Sequence, residues 1–334
     1  ALIALATTLA LTGPDLAGQY SRGITACTQD NNCDRFFDQF FDEYQTPFLA
    51  VTLVVLLLPA LIGIFWGAPL ITRELEADTH LLVWNQSITR TRWLAVKLAL
   101  TGLTATAAAG LCGLAVTWWS GPLDKSAVGG FAQLNPLVFA ARGIVPLGYA
   151  AFAFMLGVTV GMLIHRTLPA MALTLAVFTA LQIAMPLLVR PYLLPPVHTA
   201  FELSRSNVDQ FLVPRDEDSV HVLLEARVPG DPGAWAFSSH LTDPSGRPVD
   251  DAGGATLPVS TSSGPCAPPS GQERDKQGME ACVAEINRLG YRQDATYHPS
   301  SRFWTFQWYE TGIYLALTLA LTGFCFWWIR RRLS

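Results

Sequence analysis

The chain has 334 residues, of which 51% are hydrophobic and only 14% charged, against roughly 25% charged in an average soluble domain. That balance argues against an ordinary soluble enzyme, and a net charge of −4 is too small to suggest a nucleic-acid partner. Apolar and polar residues are segregated along the chain, which predicts a polytopic membrane protein with one large water-exposed insertion.

The chain opens on ALIALATTLALT, an apolar run of 12 residues before Gly13-Pro14. At about 1.5 Å per residue it covers roughly 18 Å, too short to cross a bilayer. It reads as the outer half of a first spanning helix truncated at its N-terminus; the rival reading is the hydrophobic part of a signal peptide. Residues 14–46 follow as an outer loop, with Asp15, Asp30, Asp34, Asp38, Asp42 and Glu43 against only Arg22 and Arg35. The second span runs from Pro47 to about Thr72. Gly63 and Gly67 lie four apart in it, a spacing that permits close helix contact.

Residues 71–98, ITRELEADTHLLVWNQSITRTRWLAVKL, form the most informative segment. It begins with Arg73, Glu74, Glu76 and Asp78. It then becomes amphipathic, with Leu81, Trp84, Ile88 and Trp93 able to share one face. Such a helix lies along the inner membrane surface, either alone or with its exposed side offered to a soluble partner. Arg90, Arg92 and Lys97 anchor the return into the membrane.

The third span is about Trp93–Trp119, the fourth about Ile144–Ile164 and the fifth Leu168–Val189. Gly102, Thr106 and Gly110 repeat the four-residue spacing in the third span, and Gly157 and Gly161 in the fourth. The spacing suits packing within one subunit or a dimer seam. Pro59, Pro169 and Pro186 are candidate bend points. The basic residues of the segment 73–97, the turn His165-Arg166 and the terminal Arg330-Arg331-Arg332 place these parts inside. Both termini are then cytoplasmic, loops 14–46 and 120–143 lie outside, and Trp118, Trp119, Trp304, Trp308, Trp327 and Trp328 fall near the interfaces.

Residues 190–310 are too long for a connecting loop. Val220–Val228 and Trp235–Leu241 read as strands, 243–272 as a Gly-, Pro-, Ser- and Asp-rich linker, and 273–289 as a helix stopped by Gly290. The last span runs from about Phe306 to Ile329. The fold class is an all-α polytopic membrane protein of six transmembrane helices with a small α+β extracellular domain between spans five and six. The domains are 1–194, 195–303 and 304–334. Each outer segment holds one local cysteine pair, Cys27-Cys33 and Cys266-Cys282, which suits disulfides in an oxidising compartment. A zinc site is the alternative, but neither pair has a companion histidine at ligand spacing. Cys112 and Cys325 read as buried apolar residues.

Phosphate-binding loops and zinc-protease motifs are missing, and His298 with Asp294 or His240 with Asp243 read as isolated pairs in loops. No catalytic residue, metal site or resident cofactor is expected. Spans two to five carry no ionisable side chain at mid-depth, and Glu310 at the outer end of the last span is the exception. Ion-coupled carriers need such groups, so the driving force for any transport is expected from elsewhere.

The pattern R-E-x-E-x-x-T, an amphipathic stretch, and S-x-T-R-x-x-W-L-x-x-K leading into a span resembles the region after the second span of ABC-2-type transporter permeases. The matching positions are Glu74, Glu76, Thr79, Ser87, Arg90 and Lys97. Asp78 stands where the family usually has Gly. The closing SSRFWTFQWYETGIYLAL and its terminal arginines resemble a branch of these permeases from high-GC Gram-positive bacteria, and an excess of Arg over Lys, 19 to 3, fits such a genome.

The resemblance implies that Glu74, Glu76, Thr79, Leu81, Trp84, Ile88, Arg90 and Arg92 form a coupling segment docked into a separate ATP-binding subunit. Two copies of that subunit would hold ATP and Mg, and the permease would pair with a second permease subunit as a homodimer in the membrane lipid. By the same analogy spans two and five wall a central cavity, with Phe65, Thr174, Phe178, Gln182 and Glu310 as candidate lining residues. The expected function is the permease of an ATP-driven exporter that moves an amphipathic or hydrophobic cargo, a drug, peptide or lipid, by alternating access in a bacterial cell membrane. The alternative is a membrane-anchored extracellular sensor or assembly protein that works with an ATPase and transports nothing.

Overall fold

A computed structural model describes residues 2–30, 33–76, 89–125, 131–204, 207–212, 219–225, 227–251, 254–267 and 276–331. The chain forms two compact units, one of Ala1–Ser126, Pro136–Leu194 and Arg302–Ser334, the other of Ala127–Asn135 and Pro195–Ser301.

The first unit is helical: α1 (Leu2–Asp30), α2 (Cys33–Ile62), α3 (Pro69–Glu76), α4 (Arg90–Trp119), the short α5 (Gly121–Lys125) and α6 (Pro136–Ala140), α7 (Val145–Ile164), α8 (Thr167–Ala184) and a final long helix, Phe303–Arg331. Among the described residues, five helical stretches are long and apolar enough to cross a membrane: Gln39–Glu74, Thr91–Trp119, Val145–Ile164, Thr167–Tyr192 and Ser300–Arg331. Helix is the form that lets such segments satisfy every backbone group internally where no water is available.

Two expectations at the start of the chain need correction. The opening helix does not end at Gly13-Pro14 but continues through Pro14 to Asp30. Residues 14–30 and 33–46 are therefore not loop but helix, parts of α1 and α2 packed against each other. Side-chain packing overrides the acidic composition here: Tyr20 meets Phe36 tilted and Phe40 edge-on, with ring centroids 6.0 and 5.5 Å apart. The Tyr44 hydroxyl donates to Gln19 Oε1 at 2.7 Å. The Cys27–Cys33 disulfide closes the tip.

Helix α7 is the centre of the unit. All residues from Val145 to Met162 except Leu147 are buried. It packs against α2, α3, α4, α8 and the final helix. Glycines make the closest of these contacts. A Cβ on Gly157 would lie 2.3 Å from the Gly63 carbonyl oxygen and 2.7 Å from the Ala68 nitrogen. On Gly161 it would lie 2.8 Å from the Ala68 oxygen. Gly63 and Gly67 face the Ala153 and Phe154 carbonyls in the same way. The glycines of the second and fourth spans thus lie at the contact between those spans within one chain, at backbone-to-backbone distance.

The second span is not one uniform helix. Residues Gly63–Gly67 form a π-turn, closed by the Ala68 N–H donating to the Gly63 carbonyl at 2.9 Å. Pro69, with no N–H, follows it. A second π-turn, Met185–Val189, contains Pro186 and leads into a 3₁₀ turn, Arg190–Tyr192. Pro186 is thus at a real irregularity, whereas Pro169 sits in the first turn of α8, where a missing N–H costs nothing.

Among its described residues the second unit contains seven strands and one α-helix: β1 (Val197–Phe201), β2 (Val208–Leu212), β3 (Val220–Leu224), β4 (Trp235–Thr242), β5 (Asp250–Asp251), β6 (Gly254–Leu257), α9 (Lys276–Arg288) and β7 (Arg292–His298). The final helix, Phe303–Arg331, is α10. One antiparallel sheet has the order β1-β7-β4 and the other β2-β3-β6-β5. Leu203, Val220, Val222, Leu241, Leu257 and Ile286 form the core, and the Cys266–Cys282 disulfide is buried in it. The stretch 243–272 is not all linker, since β5 and β6 lie within it. Neither do the histidine pairs lie in loops. His298 and Asp294 are on β7 and His240 is on β4, where its partner is Asp250 at 3.3 Å rather than Asp243.

Candidate functional site

Two groups of side chains in the helical unit unite elements far apart in sequence. The first gathers where α3 ends, α4 begins and α7 turns into α8. Glu74 in the last turn of α3 forms an ion pair with Lys97 of α4. The Lys97 ammonium also lies 4.6 Å from the centre of the Trp93 ring. Thr89 caps α4, its hydroxyl accepting from the Arg92 N–H at 3.4 Å.

Glu76 reaches across to the start of α8. Helix α7 ends at His165, held in the left-handed region at φ 57°, and Arg166 opens α8 without capping it through its side chain. Glu76 supplies the missing cap: its Oε1 accepts from the Thr167 N–H at 2.8 Å and its Oε2 from the Thr167 hydroxyl at 2.7 Å. The Thr72 hydroxyl lies 3.1 Å from that of Thr167 and donates to the Ala68 carbonyl. A carboxylate at a helix N-terminus is favoured by unpaired N–H groups and by the helix dipole. The bonds from Thr167 hold the Glu76 pKa below the ordinary carboxylate value, assisted by Arg166 and Arg73. Glu74 and Glu76 therefore brace α3 against two other spans.

The second group lies at the opposite end of α7. Arg190, delivered by the second π-turn, donates from Nε to Glu310 Oε2 at 2.9 Å and from Nη2 to Glu310 Oε1 at 3.1 Å. The Tyr149 hydroxyl donates to the same carboxylate. The guanidinium lies 4.1 Å from the centre of the Phe139 ring, and Tyr149 meets Tyr314 edge-on at 4.7 Å. Arg190 and Glu310 are 1% and 0% exposed, so this fork-to-fork pair is dry.

One turn of α10 earlier, Gln307 Oε1 accepts from the Ile144 and Val145 N–H groups, both at 2.9 Å, and so caps α7. Gly143 is needed beside it, with φ +61° and no room for a Cβ, which would lie 2.5 Å from Gln307 Oε1. Arg142, also buried, pairs with Asp124 and stacks over Phe48 at 5.1 Å. Burial raises the Asp124 pKa and Arg142 opposes that rise.

Of the candidate coupling residues, Thr79, Leu81, Trp84 and Ile88 lie outside the described residues, and of Arg90 only the helical backbone is described. Glu74, Glu76 and Arg92 are placed at the first group. The candidate cavity residues do not converge on one cavity. Phe65 is exposed and lines a small apolar pocket of about 280 Å³ with Leu58, Trp66 and Ala105. Thr174 and Phe178 are buried in packing and Gln182 is half-buried. Glu310 is enclosed by Arg190 and Tyr149.

Arg190 escapes sequence reasoning because an arginine after an apolar run and before Pro191 looks like an interfacial flank. Thr167 and Gln307 carry no local signal at all. Among the described residues no group of histidine, cysteine and acidic side chains is placed to hold a metal ion.

A model of the family described as ABC-2 membrane transporter related matches residues 1–190. No curated protein and no solved structure matches the chain.

Proposed function

The chain belongs to the ABC-2 membrane transporter related family, and from that premise we propose that it is the permease of an ATP-driven exporter. ATP and Mg are held by a separate nucleotide-binding subunit in two copies, and two permease chains form a homodimer. Six spans carry both termini on the cytoplasmic side, and residues 195–303 are extracellular. The cargo is amphipathic or hydrophobic, because the described spans offer apolar walls and their buried charges are already paired.

The observation that carries this reading is the bracing of α3. Residues 73–92 are the segment on which the ATPase acts. A push on it at residues 73–76 reaches α4 through Glu74–Lys97 and α8 through Glu76–Thr167. The glycine contacts of α7 with the Gly63–Gly67 turn carry the same displacement into the centre of the bundle. A glycine-packed path of this kind suits alternating access driven from the inner surface.

The test is to purify the chain with candidate ATP-binding subunits and compare wild type with E74Q and R90Q. The expected result is a weakened complex and loss of cargo-stimulated ATP hydrolysis. Unchanged assembly and unchanged coupled hydrolysis would remove the coupling role. A second reading, a sensor that uses an ATPase without transport, draws on the second unit, which has its own core, two sheets and a disulfide. Movement of cargo into inverted vesicles decides against it.

A further inference from the structure

A groove of about 690 Å³ runs along the helical unit between α4, α7 and α10. Its α4 wall carries Ala95, Gly102 and Thr106, and its α10 wall Thr318, Thr322 and Phe326. The distance from Ala95 to Thr106 along the helix is about 16 Å, close to half of a hydrocarbon core about 30 Å thick. The threonines do not make the groove polar. Thr106 donates to the Gly102 carbonyl at 2.8 Å, Thr318 to Tyr314 at 2.7 Å and Thr322 to Thr318 at 2.7 Å. Each hydroxyl proton is spent within its own helix, so the walls offer no donor to a polar ligand.

One end of the groove is cationic. Arg92 precedes Ala95 by three residues and Arg330 follows Phe326 by four, so each continues the helix face that forms its wall. Both side chains are exposed, and neither makes an ion pair among the described residues. Beside them Trp327 carries the Arg331 guanidinium 5.5 Å from its ring centre, an arrangement suited to the headgroup level.

We propose that this groove is a binding site for an anionic phospholipid, with one acyl chain along α4 and α10 and the headgroup phosphate between Arg92 and Arg330. The length of the groove matches one leaflet, its walls match an alkyl chain, and its charged end matches a phosphate. The site is a property of the single chain and does not rest on the transport reading.

The experiment is native mass spectrometry of the full chain released from nanodiscs of phosphatidylcholine mixed with phosphatidylglycerol. Wild type is expected to retain phosphatidylglycerol over phosphatidylcholine by on the order of 25-fold, roughly fivefold for each arginine near the headgroups. The exposed double variant R92Q/R330Q is expected to keep a bound lipid and lose the preference. A99F, at an exposed position on the groove wall, is expected to lose the bound lipid itself. Equal retention of the two lipids by wild type, or an unchanged preference in R92Q/R330Q, would overturn the proposal. So would a copy-to-copy crosslink through A99C in native membranes, which would seat a second chain in the groove.

Discussion

Replacing Glu310 by glutamine tests the dry ion pair at the end of α7. The substitution keeps the size of the side chain and an oxygen for the Tyr149 hydroxyl, but it leaves the Arg190 guanidinium without its counter-charge. Both partners are at most 1% exposed, so solvent screening gives little relief. Two unit charges about 4 Å apart attract by about 4 kcal/mol at an effective dielectric constant of 20. Breaking a buried pair by removing one member costs about 3–5 kcal/mol, most of it the penalty of an uncompensated charge. E310Q is therefore expected to lose about 3–5 kcal/mol in equilibrium unfolding by sodium dodecyl sulfate in mixed micelles, followed by tryptophan fluorescence. The double variant R190M/E310L buries no charge and should recover most of that loss, because an apolar pair of similar volume often matches or exceeds a buried ion pair. A loss below about 1 kcal/mol for E310Q, in the range of an ordinary surface change, would refute the reasoning. A double variant as unstable as the sum of the two single ones would refute it equally.

In G157A the new Cβ meets three backbone atoms within 3.0 Å, so α7 must move away from the Gly63–Gly67 turn. Overpacking of this kind costs about 1–3 kcal/mol, reduced by up to about 1 kcal/mol of better helix propensity. A lowered thermal midpoint in the same micelles is expected, while G323A, which has nothing within 4 Å of the new methyl, should be neutral or slightly stabilising. In the second unit, Asp243 accepts from the Ser245 hydroxyl and N–H and from Arg247, which hold its pKa at about 2 against an ordinary 3.8. A depressed carboxyl pKa stabilises the fold above the unfolded value and loses that contribution as the pH falls. Amide protection factors at Ser245 and Arg247, free-peptide exchange rates divided by those observed at the same pH, should thus hold down to about pH 4 and fall toward pH 2, with the step abolished in D243N.

The apolar runs around the second to sixth predicted spans, the two cysteine pairings and the family resemblance in 71–98 were all legible in the sequence, because each is written in consecutive or nearly consecutive residues. The small mixed unit was legible only as a class. Val220–Val228 and Trp235–Leu241 read as strands in the sequence, but β1, β2 and β7 carry mixed polar sequence and are strands because of their partners. The pairing of α1 with α2 is hidden in the sequence for a related reason. Its acidic residues suggest exposure, and the aromatic contact of Tyr20 with Phe36 and Phe40 that orders it depends on a fold-back.

Hydropathy and helix periodicity depend on neighbours within about a turn or a span, so the sequence by itself determined the membrane class and the positions of the apolar spans. It also supplied Glu74 and Glu76 as residues of interest. Only the tertiary structure decided what those carboxylates hold. Glu76 meets Thr167 across 91 residues, Arg190 meets Glu310 across 120 and Tyr149 meets Glu310 across 161. No local pattern encodes such meetings. They arise because a charge withdrawn from water must find a partner and an uncapped helix end favours a carboxylate, and the packing of α7 against its neighbours determines which one is within reach.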